Sequence, residues 1–187
     1  MRELYHIGLK EKPNAEYAIL TGDPARVEQI ARYLDNAEFI ASNREFMTYR
    51  GSLCRKNVLV TSTGIGGASA AIAVEELYKA GVRNFIRIGT CGGMQTEVIG
   101  GDIIIATAAV RAEGTSKEYA PMEYPATADF EITSALSSAA KKSGFSHHIG
   151  VVPSKDSFYG QHEPMRMPVS YELADKWNAW IQCGCLA

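Results

Sequence analysis

Short apolar runs that end at glycine and turn at once into helix-like segments constrain this chain more than any other feature. Tyr17-Ala18-Ile19-Leu20 reads as a buried strand ending at Thr21-Gly22, after which Asp23 can cap a helix and Pro24 suits its first position. Val27, Ile30, Ala31 and Leu34 follow at helical spacing and predict a core-facing stripe. The pattern then repeats. Residues 37–41, 46–53 and 57–62 read as strands, and Thr63-Gly64-Ile65-Gly66-Gly67 turns into a helix through Ala80 that Gly81 stops. Residues 84–89, 102–110 and 149–152 read as further strands, with helices at 129–143, ended by Gly144, and at 169–182. Near-continuous apolar strands belong to sheets covered by helices on both faces, so the class expected is α/β. Strand order and polarity are not written in this pattern.

No repeat, low-complexity tract or linker divides the 187 residues, which predicts one domain. A net charge of −2 gives no reason to expect nucleic acid or an acidic membrane as partner, so an anion site must be built locally. No apolar run is long enough to cross a bilayer, and the start Met1-Arg2-Glu3-Leu4-Tyr5-His6 lacks the features of a secretory leader. The expected location is the cytoplasm, with Cys54, Cys91, Cys183 and Cys185 as reduced thiols. Cys183-Gly184-Cys185 is too tight and unaccompanied for the usual zinc patterns.

Three features point to an anion. Gly22-Asp23-Pro24-Ala25-Arg26 joins a strand to a helix, where glycine permits close approach, the helix start offers free amides and Arg26 supplies a guanidinium. The bland reading is a turn with a surface arginine. Arg87-Ile88-Gly89-Thr90 places an arginine at an apolar strand, where it needs either an anion or a carboxylate partner. Asn43-Arg44-Glu45-Phe46 adds a third arginine on a connection. Thr63-Gly64-Ile65-Gly66-Gly67 could also cradle phosphate, but it lacks the P-loop lysine and the dinucleotide glycine spacing, so ATP and NAD are not favoured. The loop Asp156-Ser157-Phe158-Tyr159-Gly160-Gln161-His162-Glu163 offers a ring for stacking and an amide that both donates and accepts, which suits a flat heterocycle as well as it suits an ordinary polar loop. No metal spacing and no covalent nucleophile stands out.

At these residues the chain resembles the nucleoside phosphorylases of the uridine phosphorylase type. The strings that carry the resemblance run in order: Tyr5-His6-Ile7-Gly8-Leu9, Gly22-Asp23-Pro24-Ala25-Arg26, Asn43-Arg44-Glu45-Phe46, Ser62-Thr63-Gly64-Ile65-Gly66-Gly67, Val74-Glu75-Glu76-Leu77, Arg87-Ile88-Gly89-Thr90 and Asp156-Ser157-Phe158-Tyr159. The resemblance implies a mixed central sheet with helices on both faces, and reversible phosphorolysis with inorganic phosphate as co-substrate and no organic cofactor. Gly22, Arg26, Arg44, Arg87 and Thr90 look like phosphate ligands, with Arg26, Arg87 and Thr90 at the reaction centre. His6 and Thr90 resemble ribose contacts, and Phe158 and Gln161 base contacts. The arginine that usually follows that glutamine is matched by Arg166 at a shifted position or replaced by His162. Glu45, the Ile65 carbonyl and Ser69 resemble a potassium-type site between paired subunits. Arg44 and His6 would be lent to a neighbour, which implies a homo-oligomer built from dimers, a hexamer in the family. The resemblance also implies that the family's C-terminal part, with a ribose-gripping Glu-Met-Glu segment, would begin after Leu186-Ala187. A nucleosidase of the same fold that uses water, another nucleoside phosphorylase, and a non-catalytic binding remnant are the competing readings.

Overall fold

The computed structural model describes residues 4–10 and 12–187. Two compact units make up the chain, Met1–Thr90 and Cys91–Ala187. Each is built on its own sheet.

The first unit holds β1 (Tyr17–Thr21), α1 (Pro24–Ala31), β2 (Asp35–Asn43), β3 (Phe46–Leu53), β4 (Lys56–Ser62), α2 (Gly67–Ala80) and β5 (Asn84–Arg87). Its sheet has the order β2-β3-β4-β1-β5. β4, β1 and β5 run parallel, while β2 and β3 are antiparallel neighbours, so the sheet is mixed. Alternation along β1 and β4 sends side chains to opposite faces. Val58 and Val60, with Tyr17 and Ile19, meet Val27 and Ala31 of α1. Ala18, Leu20 and Leu59 meet Ala73, Leu77 and Ala80 of α2. The expected helices on both faces are therefore present around this sheet.

Local signals account for the element ends. Asp23 accepts from the Ala25 amide at 2.9 Å and caps α1, with Pro24 in the first turn. Gly81, at φ 116, ends α2 by sending its amide back to Leu77 and Tyr78. The β3–β4 turn is less expected, because Cys54 (φ 50) and Arg55 (φ 64) both adopt the left-handed conformation that a tight hairpin needs.

The second unit holds β6 (Ile103–Ala112), β7 (Ala126–Thr127), α3 (Phe130–Ser143), β8 (His147–Lys155), α4 (Phe158–His162) and α5 (Ser170–Gln182), with short 3-10 turns at Thr115–Glu118 and Pro164–Arg166. β8 pairs parallel to β6 and β7 antiparallel to it. Asp129 caps α3 through the Ile132 amide at 2.9 Å, and Gly144 (φ 74) ends it. Residues 183–187 close onto this unit. The Leu186 amide donates to Val151 O, and Gln95 Nε2 donates to the carbonyls of Ile181 and Cys185, each at 2.9 Å. The segment read as a loop at 156–163 is a correction: a five-residue helix occupies its centre, capped by Ser157, whose hydroxyl accepts from the Gly160 amide at 2.9 Å. It is too short to leave a periodic pattern.

Candidate functional site

β1, β4 and β5 lie side by side and parallel, so their carboxyl ends reach one edge of the sheet together, the edge where open α/β sheets place ligands. Leu20 sits opposite Arg87, and the Ile88 amide donates to Leu20 O at 2.8 Å, which carries the pairing past the strand end. A methyl group added at Gly22 would lie 3.5 Å from Gly64 O and 3.8 Å from Arg87 Nη2. One added at Gly89 would lie 2.7 Å from Arg87 Nη1. The guanidinium of Arg87 is thus spread over two bare glycine backbones, with a third glycine alongside. Thr63 ties the loops together by donating from its amide to Thr21 O at 2.8 Å.

Arg87 closes β5 and is exposed, which corrects the expectation of an arginine within an apolar strand. It is the last residue of a four-residue strand, and its charge stays in water. Among the described residues no carboxylate pairs with Arg87 or Arg26, and Arg26 is half-buried in the first turn of α1. The Arg87 guanidinium, without an acidic partner and beside the bare backbone of Gly22, leaves room for a small anion, with Arg26 in the adjoining first turn of α1. Thr90 follows, exposed, three residues beyond Arg87. Beneath this edge Thr21, Thr48, Thr61, Ser62 and Thr63 are buried. The Thr21 hydroxyl has no hydrogen-bond partner among the described residues.

The β2–β3 turn lies at this same sheet edge, since Thr48 pairs with Thr61 and the Ser62 hydroxyl donates to Glu45 O at 2.7 Å. Arg44 is exposed on that turn at φ 54, its guanidinium 5.8 Å from the centre of the Tyr5 ring rather than against Gly22. His6 is held by Glu76 of α2, which receives the His6 ring Nδ1 at 2.7 Å and the Ile7 amide at 2.9 Å. Burial works against the Glu76 charge, but the bonds from the Ile7 amide, the His6 ring and the His6 amide outweigh it and hold this carboxyl below the usual range. The sequence reading gave Glu76 no role, although a signal was there. It shares a face with Ala73, Leu77 and Ala80, and an acid on a buried helix face needs partners.

Glu45, Ile65 and Ser69 also come together. The Ser69 hydroxyl donates to Ile65 O at 3.1 Å, and a methyl added at Gly64 (φ 68) would lie 2.5 Å from Glu45 Cγ and 3.4 Å from Ser69 Oγ. A carboxylate, a carbonyl and a hydroxyl form an all-oxygen set, the chemistry a hard cation takes. An open groove of about 690 Å³ runs along edge strand β2, lined by Gly8, Leu9, Lys10, Phe39, Asn43 and Arg50 among others.

In the second unit, β6 and β8 end side by side at Ala112 and Lys155. Asp156 bridges these ends by accepting the Gly114 amide at 3.0 Å, and Lys155 Nζ reaches Gly160 O at 3.3 Å. Burial, with Lys176 nearby adding to it, lowers the Lys155 pKa. The short helix α4 is held from both sides, and it presents Phe158 exposed and Gln161 half-buried. Phe158 packs on His162, ring centres 4.3 Å apart. Arg166 lies in the following turn, exposed and ion-paired with Glu163. Phe158 and Gln161 thus share one helix, while Arg166 and His162 are each engaged locally. Arg111 spends its guanidinium on the carbonyls of Ser116, Ala120, Pro121 and Tyr124, a loop anchor the sequence did not reveal. Burial raises the Cys185 thiol, with Cys183 adding to it, which disfavours the thiolate that metal or redox chemistry would use.

The description of the phosphorylase superfamily fits residues 16–179. The chain belongs to that superfamily. It is 55% identical over 183 residues to the uridine phosphorylase of Treponema pallidum (strain Nichols), a match covering 98% of this chain and 71% of that protein. It is 49% identical over 163 residues to the uridine phosphorylase of Escherichia coli (strain K12), covering 86% of this chain and 64% of that one. A guanosine phosphorylase of Halorubrum lacusprofundi is 41% identical over 173 residues, covering 92% and 68%. This superfamily member therefore spans about two thirds of the length of these relatives. No helix among its described residues is long and apolar enough to cross a membrane.

Proposed function

We propose that this phosphorylase-superfamily chain serves the phosphate-dependent, reversible cleavage of uridine to uracil and ribose 1-phosphate. The observation that carries the reading is the convergence of Gly22, Gly64 and Arg87 at the carboxyl ends of three parallel strands, with Arg26 in the next helical turn. The names of the relatives choose the nucleoside. Phosphate is anionic near neutral pH, so Arg26 and Arg87 position it rather than activate it, with Thr90 beside the sugar. Cleavage develops positive charge on the ribose and negative charge on the departing base. Bound phosphate stabilises the first, and hydrogen bonds from Gln161 and from Arg166 or His162 stabilise the second, while Phe158 packs on the ring. No covalent ribosyl-enzyme intermediate is needed.

We read both units as parts of one nucleoside phosphorylase domain that works as a cytoplasmic homo-oligomer built from dimers. His6 and Arg44 are taken to complete a neighbouring subunit's site, facing its ribose and its phosphate. Glu45, Ile65 O and Ser69 supply three oxygens to a potassium-type ion, and a second copy related by a two-fold axis would double that number. The test is to incubate the protein with uridine, with and without phosphate, and follow free uracil. Phosphate-dependent release is expected. Release that ignores phosphate would make this a nucleosidase, and guanine release from guanosine in preference would move the substrate to the purines, as the Halorubrum relative's name suggests for that protein.

A further inference from the structure

Residues 4–9 and 43–46, which on the reading above carry the two side chains lent to a neighbour, are built as one piece. The first segment closes on itself, with the Leu4 amide donating to Leu9 O at 2.9 Å and the Gly8 amide to Leu4 O at 2.8 Å. Gly8 (φ 71) makes the turn and lies flat on Asn43: a methyl placed there would come within 3.3 Å of Asn43 Cβ. Asn43 then donates both protons of its amide, to Tyr5 O at 3.0 Å and His6 O at 2.9 Å. The buried carboxylate of Glu76 takes the His6 amide at 3.1 Å, the Ile7 amide at 2.9 Å and the His6 ring Nδ1 at 2.7 Å. Arg44 is the residue after Asn43, and its guanidinium lies over the ring of Tyr5, the residue before His6.

We propose that Asn43 and Glu76 are positioning residues that fix His6 and Arg44 as a single presenting unit, so that the ribose contact and the phosphate contact are offered together. The inference rests on the reading of His6 and Arg44 as donors to a neighbouring site. Glu76 sets the ring: with Nδ1 committed to the carboxylate, Nε2 is the nitrogen left to face a ligand. Asn43 sets the coupling, since its backbone belongs to the strand that delivers Arg44 and its side chain grips the backbone that delivers His6. Groups ordered before binding do not pay for ordering when substrate arrives, and both substrates gain from the same two residues.

Asn43→Ala and Glu76→Gln separate this from a purely structural role. Steady-state rates over phosphate and uridine series give the two KM values, and amide exchange of Leu59 and Val60 reports the stability of the unit. Asn43→Ala is expected to raise both KM values about tenfold, the size of one or two lost hydrogen bonds, with core exchange little changed. Arg44→Ala on the Asn43→Ala background should then add less to the phosphate KM than it does alone. A rise in one KM only, or in neither, overturns the proposal. A wild-type protein that releases no uracil sinks the functional reading instead. The coupling is then judged by exchange of the His6 and Ile7 amides, which both variants should speed about tenfold or more. Unchanged exchange at those amides would defeat the coupling by itself.

Discussion

Gly22→Ala separates the structural needs of the phosphate edge from its chemical ones. Gly22 is absent from the glycines with left-handed backbone, so alanine meets no conformational barrier there. Its methyl group would sit 3.5 Å from Gly64 O and 3.8 Å from Arg87 Nη2, both ordinary contacts. The fold therefore has no reason to weaken, and the reduced freedom of the unfolded chain stabilises by about 0.4–1 kcal/mol. The same methyl stands between the end of β1 and the guanidinium, where on the proposed reading phosphate comes to reach the backbone. Loss of one charge-assisted hydrogen bond costs about 1.5–3 kcal/mol, which raises the phosphate KM about 10- to 150-fold. The assay is the rate of uracil release over a phosphate series at saturating uridine. Stability is followed through amide exchange at Leu59 and Val60, because the two tryptophans, Trp177 and Trp180, both lie in the second unit. An unchanged phosphate KM with intact core protection would refute the placement of phosphate over Gly22.

Gly64→Ala should behave in the opposite way. It combines a left-handed backbone with a methyl 2.5 Å from Glu45 Cγ, and the two costs sum to about 2–3 kcal/mol. Core exchange in the first unit should quicken about 30- to 150-fold, and exchange within threefold of wild type would contradict the geometry. Arg87→Ala should lower kcat/KM for phosphate about 10- to 150-fold while leaving core exchange alone, because the side chain is exposed and no carboxylate depends on it among the described residues. Replacing Cys54-Arg55 by Asn-Gly should stabilise the first unit by about 1–2 kcal/mol, since both residues now adopt left-handed backbone. Unfolding at the same denaturant concentration as wild type would argue against that strain. Acid should weaken the first unit through Glu76. Its folded-state pKa lies below the ordinary 4.5, so its contribution is complete above that value and fades as pH falls through the folded one. Glu76→Gln should flatten the acid limb of a stability profile taken from about pH 6 to about pH 3, and an unchanged limb would remove Glu76 as its source.

Helices and strands were legible where local chemistry and core packing agreed. Asp23-Pro24, Gly81 and Gly144 mark real helix ends, and the stripe from Val27 to Leu34 faces the core. Elements too short for a period were not legible: α4 is held by its Ser157 cap and follows Asp156, which the distant Gly114 amide fixes, and the turn at Thr115–Glu118 is held by the side chain of Arg111. The arginines and glycines of the candidate anion edge could be picked out by residue type. Their meeting could not, because it depends on β5 pairing with β1 rather than with the strand that precedes it in sequence, β4. Asn43 and Glu76 escaped for a related reason. Each acts through residues about 37 to 70 positions away, and no spacing rule reaches so far.

The candidate residues gather at strand ends for a reason that holds in both units. A parallel strand pairs along its length and then releases its chain at the carboxyl end, where unpaired backbone and a new loop begin. In the first unit three such ends adjoin, and glycine at two of them (Gly22 and Gly64) keeps the backbone bare while Arg87 at the third supplies charge. In the second unit the ends of β6 and β8 are bridged by Asp156, and the chain leaves at once into the helix that carries Phe158 and Gln161. The antiparallel pair β2–β3 adds what parallel strands cannot, a tight turn at the same edge that holds the Arg44 guanidinium over the Tyr5 ring. On the proposed reading, an arginine on such a turn, bound to the segment that holds His6, serves another copy's site rather than its own.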